Sequence, residues 1–93
     1  MTTTTKKLPA GEAVLLTAAD VVSLTFQNVD PQSAWVIGTA SDVAPVDWSG
    51  ALRVGPGEGR LNVPIADLFP GVAGVVRLWA RSDNGGAMAV GYV

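Results

Sequence analysis

Between Val21 and Asn28 apolar and polar residues alternate. Val22, Leu24 and Phe26 fall on one side of an extended chain, and Ser23, Thr25 and Gln27 on the other. A period of two marks a half-buried strand. Val75–Ser82 repeats the pattern, with Val76, Leu78 and Ala80 expected inward and Val75, Arg77, Trp79 and Arg81 opposite. Ala34–Thr39 is predicted as a strand pairing antiparallel with Val21–Asn28. Trp35 and Ile37 project to one side, Ala34 and Val36 to the other, with Trp35 assigned to the core. Shorter strands are expected at Ala51–Val54, at Arg60–Ile65, where Leu61, Val63 and Ile65 share a face, and at Ala87–Val93, where Met88, Val90 and Tyr92 do. Pro64 marks an edge or a strand end. Ala13–Leu16 is apolar but too short for its period to separate strand from helix.

The segments between are rich in turn formers. Asn28–Ser33 carries Asn, Asp, Pro and Ser, and Gly55–Gly59 is glycine-rich. Ser82–Gly86 is a hairpin loop, because Asn84 and two glycines tolerate positive φ. Ala66–Phe69 fits one helical turn, stopped by Pro70-Gly71. Ala40–Gly50 exceeds the usual loop length and is a candidate contact loop. Short strands with turn signals every 8 to 12 residues or so predict an all-β fold. The expected architecture is a small antiparallel β-sandwich or jelly-roll-like barrel of roughly six or seven short strands. Met1–Lys7 (MTTTTKK) is polar with no apolar face, and Pro9-Ala10-Gly11 forms a hinge. Residues 1–10 are therefore read as an extended arm held against a neighbour, and 11–93 as one domain.

Composition removes whole classes of chemistry. The 93 residues include no Cys and no His, which excludes disulfides, thiolate chemistry, a Ser-His-Asp triad and the usual zinc sites. A net charge of −2 argues against nonspecific nucleic-acid binding. No apolar run approaches the ~20 residues of a membrane-spanning helix. Gly55-Pro56-Gly57-Glu58-Gly59-Arg60 lacks the Lys-Ser/Thr pair of a phosphate loop, and Glu58 would repel phosphate. The carboxylates fall mainly in turns, where Asp serves local backbone hydrogen bonds. Asp42 and Asp47 match no calcium-loop spacing. The reading is therefore non-enzymatic, with no cofactor and no metal.

What is left is contact chemistry. Arg77, Trp79 and Arg81 share one face of a strand, and Trp and Arg are the residues enriched where protein surfaces meet. The alternative is that they are engaged within the chain, arginine stacked on tryptophan or paired with a carboxylate. Trp48, in the long polar loop, is a second contact candidate. The arm supplies a third set: Thr2, Thr3, Thr4, Thr5, Lys6 and Lys7. Three tryptophans lining a sugar platform would instead make a carbohydrate-binding module.

From Val21 to Val93 the chain resembles small virion proteins encoded among the structural genes of tailed bacteriophages. The residues that carry the likeness are Leu24–Asn28, Ala34–Thr39, Gly55–Gly59, Ala66–Ser82 and Gly85–Val93. The resemblance implies a β-sandwich subunit that decorates or stabilises a capsid in many copies, docked on capsid or other virion proteins. It implies localisation on the virion's capsid surface after assembly in the host cytoplasm. A homo-oligomer is expected, a trimer foremost, with no nucleic-acid or membrane partner. A tail, baseplate or head-fibre adaptor is the alternative placement.

Overall fold

The computed structural model describes residues 3–92. Thr2 of the candidate arm lies outside the described residues. The described residues form eight strands and one helical turn: β1 (Thr3–Leu8), β2 (Val14–Leu15), β3 (Ser23–Asn28), β4 (Ala34–Thr39), β5 (Leu52–Val54), β6 (Gly59–Pro64), α1 (Ile65–Leu68), β7 (Arg77–Arg81) and β8 (Gly86–Tyr92). They make two antiparallel four-stranded sheets, the first in the order β1-β8-β3-β6 and the second β2-β7-β4-β5. Strand one therefore pairs with eight, two with seven, three with six and four with five. That is one long antiparallel hairpin folded over on itself, the strand order of a jelly roll.

The expected all-β sandwich is present, with eight strands rather than six or seven. β4 covers the predicted Ala34–Thr39 but does not pair with β3. It lies between β5 and β7 in the opposite sheet. The physical reason sits at the end of β3. Asn28 is buried, and its Nδ2 donates to the carbonyls of Gln32 at 2.7 Å and Val54 at 3.0 Å, while its Oδ1 accepts from the Asp30 N–H at 3.0 Å. One side chain shapes the turn and ties it to β5, so the chain leaves the first sheet instead of turning back along it.

Inside, Phe26 of β3 lies opposite Val90 of β8, and with Leu24 and Met88 they share one core with Ala34, Val36, Leu78 and Ala80 of the second sheet. Gly38 continues that second row. A Cβ there would stand 2.6 Å from both Phe69 Cδ2 and Val75 Cγ2, so the bare backbone makes room for the ring that follows α1. Val22 and Leu61, each expected on an apolar strand face, lie exposed. Val22 precedes the strand and is 75% exposed. Leu61 is 83% exposed because β6 slips register against β3 between Leu24 and Phe26, with Asn62 at φ 48°. Such a bulge turns side chains off the regular alternation.

Residues 3–8, read as an arm, run along the domain's own last strand. Every residue from Thr3 to Leu8 has a partner on β8, and Leu8 is buried.

Candidate functional site

The outer face of the second sheet gathers most of the chain's arginine and tryptophan. Across β5, β4 and β7 the register places Arg53 beside Trp35 and Trp35 beside Arg81. Side chains directly opposite in an antiparallel pair stand about 5 Å apart at Cβ. The loop after β4 adds a fourth member: the Arg81 guanidinium lies over the Trp48 ring, 5.3 Å from its centroid. Cations and indoles thus alternate along the row. Trp35 is 37% exposed, not a core residue as expected. The inner side of β4 is taken by Ala34, Val36 and Gly38, which leaves Trp35 outside.

The two lower rows are spent within the chain. Trp79 sits between Ile37 and Leu15, is buried, and donates its indole N–H to Thr39 Oγ1 at 3.2 Å. Arg77 forms an ion pair with Asp20 at 3.0 Å. The three residues of the predicted stripe do share one face, but Arg77 is engaged by Asp20 and Trp79 by Thr39. Arg81 is also engaged within the chain, over Trp48 and paired with Asp83 at 3.6 Å, but its Nε makes no hydrogen bond. Arg53 donates to Ser33 Oγ at 3.0 Å.

The Ala40–Gly50 loop is tied down along its length. Thr39 Oγ1 donates to the Ser41 carbonyl at 2.7 Å, Trp48 Nε1 to the Pro45 carbonyl at 3.1 Å, and the Ala51 N–H to the Trp48 carbonyl at 3.0 Å. Asp47 Oδ1 accepts from the Ser49 N–H at 2.9 Å. That backbone bond, with a second from the Ser49 side chain, holds the Asp47 carboxyl below its usual range. Trp48 is half-buried and packs on the core. The loop's own apolar side chains stay in water: Val43 is 70% exposed and Val46 fully so.

The arm residues Thr4, Thr5, Lys6 and Lys7 are exposed on β1. A hollow of about 230 Å³ between β3 and β6 is lined by Phe26, Gln27, Gly57, Gly59, Arg60 and Leu61, and it offers no acid–base pair. Among the described residues no three carboxylates come together as a metal site. Sequence reasoning passed over Trp35 and Arg53. The first lies in an uninterrupted apolar run, and the second is a single charge in a three-residue strand. The chain matches no protein-family model, no curated protein and no solved structure.

Proposed function

We propose that this chain is a non-enzymatic assembly subunit, of the kind that decorates or stabilises a bacteriophage capsid in many copies. The observation that carries the reading is the loop between β4 and β5. Its backbone is held by its own hydrogen bonds and by Trp48 on the core, yet it projects Val43 and Val46 into solvent. An apolar protrusion that is already ordered loses little conformational freedom on docking, which is what a binding element needs. Beside it stands the Arg53–Trp35–Arg81–Trp48 row, rich in the residue types that dominate interface energetics. The jelly roll is an architecture of viral capsid and lectin domains. A fold alone does not select a function, so the loop and the row carry the weight.

Quantitative mass spectrometry of virions from the phage encoding the chain tests this. Hundreds of copies per particle are expected for a shell decoration. Tens or fewer would move the subunit to a tail, baseplate or head fibre, and absence from the particle would overturn the reading. Val46→Asp should abolish recovery on shells while leaving the thermal midpoint unchanged. A second reading, a carbohydrate-binding module, draws on the exposed Trp35 ring, and binding of the isolated domain to a glycan array would favour it.

A further inference from the structure

Two open sheets have four edges, and three of these are closed to another strand. β2 has two residues and β5 three, too short to seat an added strand. β6 has six, but it carries the bulge, holds Asn62 at φ 48° and finishes on Pro64, which has no N–H. β1 is different. It pairs with β8 without a slip from Thr3↔Gly91 to Leu8↔Gly86. Among the described residues nothing pairs with its other side.

The ladder shows which groups point outward. The Val29 N–H donates to the Ala87 carbonyl at 3.3 Å, one step beyond the Asn28↔Met88 pair. Hydrogen-bonded and non-bonded pairs alternate in an antiparallel ladder. Ala87, Ala89 and Gly91 therefore turn their backbone groups toward β3, and Gly86, Met88 and Val90 turn theirs toward β1. The residues opposite the latter are Leu8, Lys6 and Thr4. Thr3, Thr5 and Lys7 are left with N–H and C=O aimed away from the sheet.

We propose that this edge joins two copies of the chain, β1 against β1, across a two-fold axis at Thr5. The inference rests on the assembly reading above and names its first contact. A two-fold axis between antiparallel strands must set one residue opposite itself, since adjacent pairs differ in bonding type and cannot be equivalent. Lysine decides which residue that is. An axis at Lys6 or Lys7 puts like charges face to face, which is destabilising. An axis at Thr4 pairs only Thr3 to Thr5 among the described residues. The axis at Thr5 sets Thr5 opposite Thr5, Thr4 opposite Lys6 and Thr3 opposite Lys7 of the second copy. It uses all the outward groups of Thr3, Thr5 and Lys7, about six hydrogen bonds in all. The two first sheets become one continuous sheet. A three-fold ring built through strands would instead need β1 of one copy to seat on β6 of the next, and β6 is interrupted.

Sedimentation velocity of the full chain tests the pairing. A dimer is expected, dissociating on dilution. Thr5→Pro removes an N–H that β8 does not use, so far-UV circular dichroism and thermal midpoint should hold while dimerisation weakens at least ~10-fold. Thr5→Cys, in a chain with no other cysteine, should cross-link on mild oxidation, because facing Cα atoms of a bonded pair lie about 5.5 Å apart. Thr4→Cys should not, since its equivalents are offset by two positions. A monomer up to millimolar concentration, a trimer, an intact Thr5→Pro dimer or equal cross-linking at Thr4 would each overturn the proposal. A monomer that is still present in virions would remove the β1 contact and leave the assembly reading standing. A dimer absent from virions would do the reverse.

Discussion

Replacing Asn28 by alanine should be among the most damaging single changes to this domain. The side chain is 1% exposed and makes three hydrogen bonds, to Val54, Gln32 and Asp30. The Val54 bond is buried, so its carbonyl would lose its partner with no water to replace it, at a cost of about 1–3 kcal/mol. The other two reach the surface, where water recovers part of each, so they add roughly 0.5 kcal/mol apiece. The sum is about 3 kcal/mol. A domain of this size has some 5–14 kcal/mol in total, and about 3 kcal/mol lowers its midpoint by about 12–24 °C. Urea unfolding followed by tryptophan fluorescence reads the change directly. Asn28→Asp sharpens the test. Its carboxylate would point at two carbonyl oxygens, which raises the folded-state pKa above the unfolded value. The penalty should then be smallest in acid and grow as pH rises above about 4. A loss below about 0.5 kcal/mol for alanine, or a flat pH profile for aspartate, would refute the role given to Asn28 in joining the two sheets.

Glycine replacements should separate two kinds of crowding. Gly59→Ala drives a methyl into the Phe26 carbonyl and the Gln27 backbone, and should unfold the β3–β6 pair, whereas Gly38→Ala meets movable side chains of Phe69 and Val75 and should cost about 1–3 kcal/mol by thermal unfolding. Arg81 and Trp48 should be coupled by about 0.5–1 kcal/mol in a double-mutant cycle, and additivity would dismiss the stacking. Asp47 should titrate below the ordinary aspartate range by NMR. Because its folded pKa is lowered, its contribution to loop order is present above the unfolded pKa and lost as pH falls through the folded one. Asp47→Ala should erase that acid transition.

Alternation alone located β3 and β7, and β4 matches its predicted span residue for residue. It failed where the pattern carries no direction. Ala34–Thr39 is apolar on both sides, so nothing local says that Ala34, Val36 and Gly38 take the inner side, with Gly38 making room for Phe69 and Val75, and leave Trp35 outside. β1 has no apolar period because the β8 main chain holds it, with Leu8 as its buried anchor. The turn after Asn28 looked like a hairpin, and only the distant Val54 carbonyl explains why the chain crosses sheets. At the site, the shared face of Arg77, Trp79 and Arg81 was readable from spacing. Their partners Asp20, Thr39 and Trp48 come from other elements, and no local pattern announces them.

The position of β8 between β1 and β3 has a consequence for how the molecule is made. Of the four strands in the first sheet β8 follows the others in the chain yet lies between two of them, so that sheet cannot close during translation until Gly86–Tyr92 has emerged. Such non-local closure is slow. For that interval β1 has no partner at all, and its threonines and paired lysines keep the waiting segment hydrated and mutually repelling. The polarity of β1 is thus a safeguard for the nascent chain: an apolar first strand would seek other nascent chains before its own partner existed.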